Sequence, residues 1–253
     1  MTEYLYGRNA VREALRAQRR TPKRLLVAAG AQQTGTLGDA IALAKQRGIP
    51  VETVDKRLLE QQLHGLNHQG LVLECSEYPY SDLDEMLTQA KDSGEMPFLL
   101  LLDHLQDPQN LGTLLRTAEI VGVHGVVIPG RRAAEITPAV VNASSGAVEH
   151  LHIAVVTNLV QSIEKLQKNG VWVVGVEDDA KAQMYDQTDL NMPLAVVLGS
   201  EGAGMARLTR ERCDFLVKLP MHGQIHSLNV AVAGSVILYH ALHDRSSQGR
   251  SAS

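Results

Sequence analysis

Leu194-Ala195-Val196-Val197-Leu198-Gly199-Ser200-Glu201-Gly202-Ala203-Gly204 is an unbroken apolar run that ends in a polar, glycine-bearing turn. A strand that is apolar without alternation is buried on both faces, which happens when helices cover both sides of a parallel sheet. Five more apolar runs occur, at 98–102, 125–128, 152–156, 171–176 and 215–219. Helical spacing separates most of them, so residues 96–245 are expected to form a parallel α/β sheet. Ligands of such sheets bind beyond the carboxyl ends of the strands, which is where the turn 199–204 falls.

Two more turns have the same character. Asp107-Pro108-Gln109-Asn110-Leu111-Gly112 opens a helix that carries Arg116, and Ser227-Leu228-Asn229 precedes a final helix over 230–242. The glycines at 199–204 do not follow GxGxxG spacing, and no acidic residue stands about twenty positions on, so a dinucleotide fingerprint is a poor match. They serve either a turn that needs positive φ or a loop drawn close around a ligand. Glu201 is the harder residue to explain as mere turn, because a carboxylate next to a buried strand is costly without a partner. Asn110 and Arg116 are six residues apart and can face one cleft, and the planar fork of an arginine suits a phosphate or ribose. Ser227 is read as the N-cap of the final helix.

Residues 1–75 read as a small α/β unit with helices at 7–17, 36–47 and 56–63 and strands at 24–28, 51–54 and 70–74. Residues 76–95 are read as a linker with a helix at 83–91, and the Ser- and Arg-rich 246–253 as a disordered tail. The formal charge of −4 is uneven: residues 1–75 carry a net +4 and the remainder a net −8. Arg12, Arg16, Arg19, Arg20, Lys23 and Arg24 supply most of that excess, as a solvated helix face or as a phosphate-contacting patch.

Composition narrows the class. A chain of 253 residues with 44% hydrophobic content can build a sizeable core. No run of about eighteen apolar residues argues for a membrane helix, and Met1-Thr2-Glu3-Tyr4 does not open like a signal peptide. Two distant cysteines, Cys75 and Cys213, argue against a disulfide framework and a zinc site. Ten histidines without HxxxH or HExxH spacing give no metal assignment. A cytoplasmic location is expected.

The three turns, in this order, resemble the three motifs of the SPOUT methyltransferases, in the TrmH (SpoU) branch that methylates ribose 2′-hydroxyls of RNA. Tyr6-Gly7 and His68-Gln69-Gly70 strengthen the likeness, since they resemble the ends of the L30e-like domain found in that branch. The resemblance covers residues 3–245 and implies an α/β fold: a C-terminal parallel-sheet SPOUT domain with a deep trefoil knot, after a small N-terminal L30e-like domain that binds RNA. It implies S-adenosylmethionine as cofactor, held by Gly199, Leu219 and Leu228, and a catalytic set of Asn110, Arg116, Glu201, Ser227 and Asn229. It also implies a homodimer in which Arg116 reaches the partner's cofactor. The expected substrate is a guanosine in the peptidyl-transferase loop of 23S rRNA. A tRNA guanosine 2′-O-methyltransferase and a non-catalytic RNA-binding ribosome-assembly factor are the alternatives.

Overall fold

The computed structural model describes residues 2–131, 133–225 and 227–247, and it divides into two compact units. The first takes in residues up to Pro79 together with Ile136–His150, and the second Tyr80–Glu135 and everything from Leu151 onward.

In the first unit, β1 (Thr2–Tyr6), β2 (Pro22–Ala28), β3 (Val51–Val54) and β4 (Leu71–Ser76) form a sheet in the order β1-β4-β2-β3. β4 pairs antiparallel with both β1 and β2, whereas β2 and β3 are parallel. Helix α1 (Arg8–Ala17) buries Ala10, Val11, Ala14 and Leu15, the stripe its sequence spacing predicts. Helices α2 (Thr36–Gln46) and α3 (Lys56–Gln62) match their expected positions closely. Strand β1 was not anticipated: five mixed residues at a chain start offer too short an alternation to read. The segment Ile136–His150 follows the first strands of the parallel sheet in sequence, so its place in this unit was also illegible.

That segment is tied down by a buried charge cluster. Arg20 Nε donates to both carboxylate oxygens of Glu149 at 2.9 Å, and Nη1 donates to Glu3 Oε2 at 2.6 Å and to the Ser76 carbonyl at 3.0 Å. Arg20 and Glu149 are 4% and 0% exposed, and Arg20 Nη2 has no hydrogen-bond partner among the described residues. Desolvation works against the Arg20 charge, but the hydrogen bonds to Glu149 and Glu3 outweigh it and hold the guanidinium firmly protonated. A pair this deep gains little net stability over apolar packing, but it penalises loss of either member heavily.

The second unit is a seven-stranded sheet. Its strands are β5 (Phe98–Leu102), β6 (Gly125–Pro129), β7 (Ile153–Val156), β8 (Trp172–Val176), β9 (Gln183–Met184), β10 (Leu194–Leu198) and β11 (Phe215–Lys218). They lie in the order β7-β6-β5-β10-β8-β11-β9, and every pairing is parallel. β5, β6 and β10 are buried throughout, as continuous apolar runs require. Because the pairing is parallel and in register, Leu198 stands opposite Leu102 and Val176, so the loops leaving β5, β8 and β10 emerge at one edge.

The helices of this unit are α4 (Leu83–Asp92), α5 (Pro108–Ile120), α7 (Leu159–Lys168), α8 (Arg207–Arg212) and α9 (Val230–Ser247), while α6 (Pro138–Ala143) belongs to the first unit. Residues 76–95 are not a free linker. Ser76 ends β4, and Leu83 and Met86 of α4 join the core of the second unit. The tail expected from 246 is likewise corrected at its start: Ser246 lies in the last turn of α9, where its Oγ donates to the Leu242 carbonyl at 2.7 Å. The rest of that expectation, from 248 onward, lies outside the described residues. α9 packs against α5, and a Cβ at Gly234 would overlap Leu198 and Leu114, so only glycine permits that approach.

Candidate functional site

The three turns singled out in the sequence meet at the carboxyl edge of the parallel sheet. Asp107 caps α5, its carboxylate accepting from Asn110 N at 2.9 Å, with Pro108 at the first helical position. That cap aims the Asn110 side chain away from the helix, and its Nδ2 donates to Glu201 Oε1 at 2.6 Å. The same Glu201 oxygen accepts from Asn229 Nδ2 at 3.0 Å, and Asn229 Nδ2 also reaches Asn110 Oδ1 at 2.9 Å. Two amides and one carboxylate from three separate loops therefore close a triangle. The partner that Glu201 requires is this pair of amides.

Asn229, not Ser227, is the N-cap of α9. Its Oδ1 accepts from Ala231 N at 2.9 Å and from Val232 N at 3.2 Å, the geometry of a capping side chain. Ser227 stands two residues before the cap, too far back for that role. The cap fixes the Asn229 rotamer and so presents Nδ2 to Glu201.

Beside the triangle lies a cavity of about 480 Å³. It is lined by Gly199, Glu201, Leu219, Ser227, Leu228 and Asn229 of the expected residues, and by Val176, Glu177 and Asp178 at the end of β8. A volume of this size is ordinary for a small-molecule site, which spans about 300–1,000 Å³. Apolar walls from Val176, Leu198, Leu219 and Leu228 combine with three carboxylates, from Glu177, Asp178 and Glu201. Such a lining fits a flat heterocycle, ribose hydroxyls and a cationic centre.

The glycine loop is held by two carboxylates the sequence reading passed over. Glu177 Oε2 accepts from Met205 N at 3.2 Å, and Asp103 Oδ2 accepts from Ala206 N at 2.7 Å. Asp103 is 1% exposed, and its other oxygen lies 2.5 Å from His104 Nδ1. Ser200 and Gly204 exchange main-chain hydrogen bonds at 3.0 Å, and a Cβ at Gly199 would overlap Gly204 and Met205 in this closure. Asp103 and Glu177 each directly follow a strand, so the rule that places ligands beyond carboxyl ends would have found them.

Of the expected residues, Asn110 is off the cavity lining but tied to it through Glu201, and the other one off it is Arg116. It sits on the exposed side of α5, about 9 Å along the axis from Asn110, and is not among the lining residues. The expected apolar face of α9 also divides. Ile237 is fully buried and Ala233 lines the cavity, whereas Val232, Val236 and Tyr239 are 48%, 37% and 50% exposed.

The basic run of the first unit is largely engaged within the chain. Arg12 and Arg16 both bond Glu13, at 2.8 and 3.2 Å, and Arg24 bonds Glu74 at 2.6 Å and Glu52 at 3.1 Å. Arg19 donates to Tyr78 Oη at 3.0 Å, and Arg20 is buried. Several of these acids lie far along the sequence, so local composition overstated the free positive charge.

Residues 97–239 match the model of the SpoU rRNA Methylase family, and residues 4–81 match that of RNA 2′-O ribose methyltransferase substrate binding. The chain belongs to the SpoU rRNA methylase family. It is 44% identical over 98% of both chains to YacO of Bacillus subtilis (strain 168), named as a TrmH family tRNA/rRNA methyltransferase. Among solved structures, the AdoMet-bound rRNA methyltransferase from Sinorhizobium meliloti superposes with a TM-score of 0.78 at 26% identity, over 96% of this chain and 87% of that one. The SpoU methyltransferase AviRb from Streptomyces viridochromogenes, solved with AdoMet, gives a TM-score of 0.80 at 24% identity, over 97% and 91%. The SPOUT fold expected from the motifs is thereby established. Both cysteines are free, and no described helix is long and apolar enough to cross a membrane. Among the described residues, no group of three or more His, Cys, Asp or Glu is placed to hold a metal.

Proposed function

We propose that this chain is an S-adenosylmethionine-dependent RNA ribose 2′-O-methyltransferase acting as a homodimer in the cytoplasm, with a guanosine in the peptidyl-transferase loop of 23S rRNA as its substrate. The observation that carries the reading is the Asn110–Glu201–Asn229 triangle, which brings all three motif turns to the rim of one cavity. Family membership supports RNA methylation, and the S. meliloti neighbour, named an rRNA methyltransferase and matched over nearly the whole chain, supports rRNA over tRNA. The trefoil knot and the division into an RNA-binding unit (1–75) and a catalytic unit (96–245) belong to the same reading.

The cavity fits S-adenosylmethionine in volume and in chemistry. Gly199, Leu219 and Leu228 would hold it, with apolar walls for the adenine and carboxylates for hydroxyls and positive charge. When bound, it supplies an electrophilic methyl group. Asn110 and Asn229 fix Glu201, and Ser227 stands on the cavity wall beside them, so these four organise the acceptor ribose. A ribose hydroxyl is a weak nucleophile, so alignment and stabilisation of the developing alkoxide are the main needs. Arginine stays protonated at ordinary pH, and Arg116 is therefore assigned to the RNA phosphate and the alkoxide. Its absence from its own chain's cavity, together with the exposed Val232, Val236 and Tyr239 face of α9, supports a dimer in which Arg116 serves the partner's site.

The test is incubation with labelled methyl donor and either unmodified 23S rRNA or unmodified tRNA. Label in 23S rRNA alone is the expected result. Label in tRNA alone would move the substrate to tRNA, and binding without transfer to either would leave an assembly factor.

A further inference from the structure

Tyr6-Gly7-Arg8 and His68-Gln69-Gly70 have no part in the methyl-transfer site, yet the fold joins them. β1 runs antiparallel to β4 with Tyr6 opposite Val72, so the start of α1 lies against the loop that enters β4. Arg8 N donates to Gln69 Oε1 at 3.1 Å, and Arg8 Nε donates to the Gln69 carbonyl at 3.1 Å. Around this junction opens a cavity of about 790 Å³ whose lining includes Arg8, Lys56, Leu66, Asn67, His68 and Gln69.

Apart from the Glu60 carboxylate, which lines the cavity and pairs with Lys56, the polar groups left over here are donors. His68 is 4% exposed, and its Nδ1 accepts from Gly70 N at 3.0 Å, which puts the proton of the neutral ring on Nε2. That N–H has no partner among the described residues, although the ring lines the cavity. Asn67 Oδ1 accepts from Gln69 N at 3.3 Å, and Gln69 Oε1 is taken by Arg8 N, so both side-chain NH₂ groups remain to donate. The Nη edge of Arg8 is also uncommitted among the described residues, while Lys56 is paired with Glu60 at 3.2 Å. Leu66 adds an apolar surface, 48% exposed. Burial keeps His68 neutral by desolvation, which preserves this donor set.

We propose that this cavity seats one unpaired nucleotide of the RNA substrate, with its phosphate on the Arg8 fork and its base edge on Asn67, His68 and Gln69. Three converging donors match a base that offers adjacent acceptors, as guanine does at O6 and N7, and reject one that offers an amino group there. Proteins read RNA sequence chiefly at unstacked bases, whose faces rest on apolar or aromatic side chains, and Leu66 supplies such a surface. The inference rests on the RNA-methyltransferase reading and places recognition away from the paired Arg12–Arg24 cluster.

The test measures KM and kcat with unmodified 23S rRNA transcript, and donor affinity by calorimetry, for four proteins: the unchanged chain, Arg8→Gln, Asn67→Asp and Arg16→Gln. Asn67→Asp keeps the oxygen that accepts from Gln69 N and replaces the outward donor, so it tests the edge even where Arg8→Gln loosens the fold. Expected is a rise in the KM for RNA of about tenfold for Arg8→Gln and for Asn67→Asp, with kcat and donor affinity unchanged and Arg16→Gln within about twofold. A KM for Asn67→Asp within twofold of the unchanged chain would overturn the inference while leaving the methyltransferase reading intact. Failure of the unchanged chain to methylate any RNA would instead overturn the reading beneath it.

Discussion

Asn229 Nδ2 and Glu201 Oε1 lie 3.0 Å apart although they belong to loops that leave different strands, and the same asparagine caps α9 through its other side-chain atom. One residue therefore couples the start of a helix to the site carboxylate. Asn229→Ala should lower stability by about 1 kcal/mol through the lost cap and should also free Glu201, so turnover should fall far more than stability does. Asn229→Ser, which can cap but cannot donate an amide, should recover most of the stability and little of the turnover. Denaturation midpoints and single-turnover rates separate the two effects. Equal recovery of both by serine would show the cap alone to matter.

Arg116→Ala should abolish most turnover while donor binding survives, because the residue stands outside its own chain's cavity. Arg116→Lys should also fail, since a point charge does not reproduce the two-pronged fork. Near-normal turnover by the alanine variant with saturating RNA would remove Arg116 from the mechanism.

If the partner's Arg116 completes each site, inactive subunits should rescue one another. Gly199→Trp blocks the cavity, because even a Cβ there overlaps Gly204 and Met205. Mixing Gly199→Trp with Arg116→Ala subunits should restore one working site per heterodimer. Sedimentation that finds a fully active monomer would refute the shared site.

Glu149→Ala should destabilise the first unit by about 3–5 kcal/mol, because it strands the Arg20 guanidinium without its main counter-charge. Urea unfolding followed by tryptophan-independent circular dichroism would measure this. A loss under about 1 kcal/mol would mean that water or backbone carbonyls satisfy Arg20 instead.

Stability should also fall as pH drops below the ordinary histidine range near 6.5. His68 and His124 are both held below that value by desolvation. The sign follows from linkage: above 6.5 both states are neutral at these rings, and below it the unfolded chain binds protons that the folded chain resists. The contribution is present above the unfolded value and is lost as pH falls through the folded ones. His124→Gln should flatten the decline in thermal midpoint between about pH 7 and 5. An unchanged slope would assign the decline to other groups.

How much of this was legible depends on the range of the interaction involved. β5 and β10 were bounded correctly because a strand buried on both faces writes itself as an unbroken apolar run. The gathering of Asn110, Glu201 and Asn229 followed from motif resemblance, not from any local pattern. The capping role of Asn229 was missed because Ser227 is an equally good capping type, and only the backbone decides which one precedes the first helical turn. Arg24 reads as free charge until β4 brings Glu74 beside it, and Arg20 until Ile136–His150 brings Glu149. Asp103 and Glu177 were overlooked although their positions after apolar strands pointed to the site edge.

Alkaline hydrolysis distinguishes a ribose oxygen of one rRNA nucleotide from a base atom as the acceptor of the methyl group. A 2′-O-methyl group protects the phosphodiester on its 3′ side, so unmodified 23S rRNA treated with the protein and S-adenosylmethionine should show one gap in its hydrolysis ladder. That gap is expected at a guanosine of the peptidyl-transferase loop, and it should be absent with Arg116→Ala. A methylated transcript with a continuous ladder would place the methyl group on a base and refute ribose methylation.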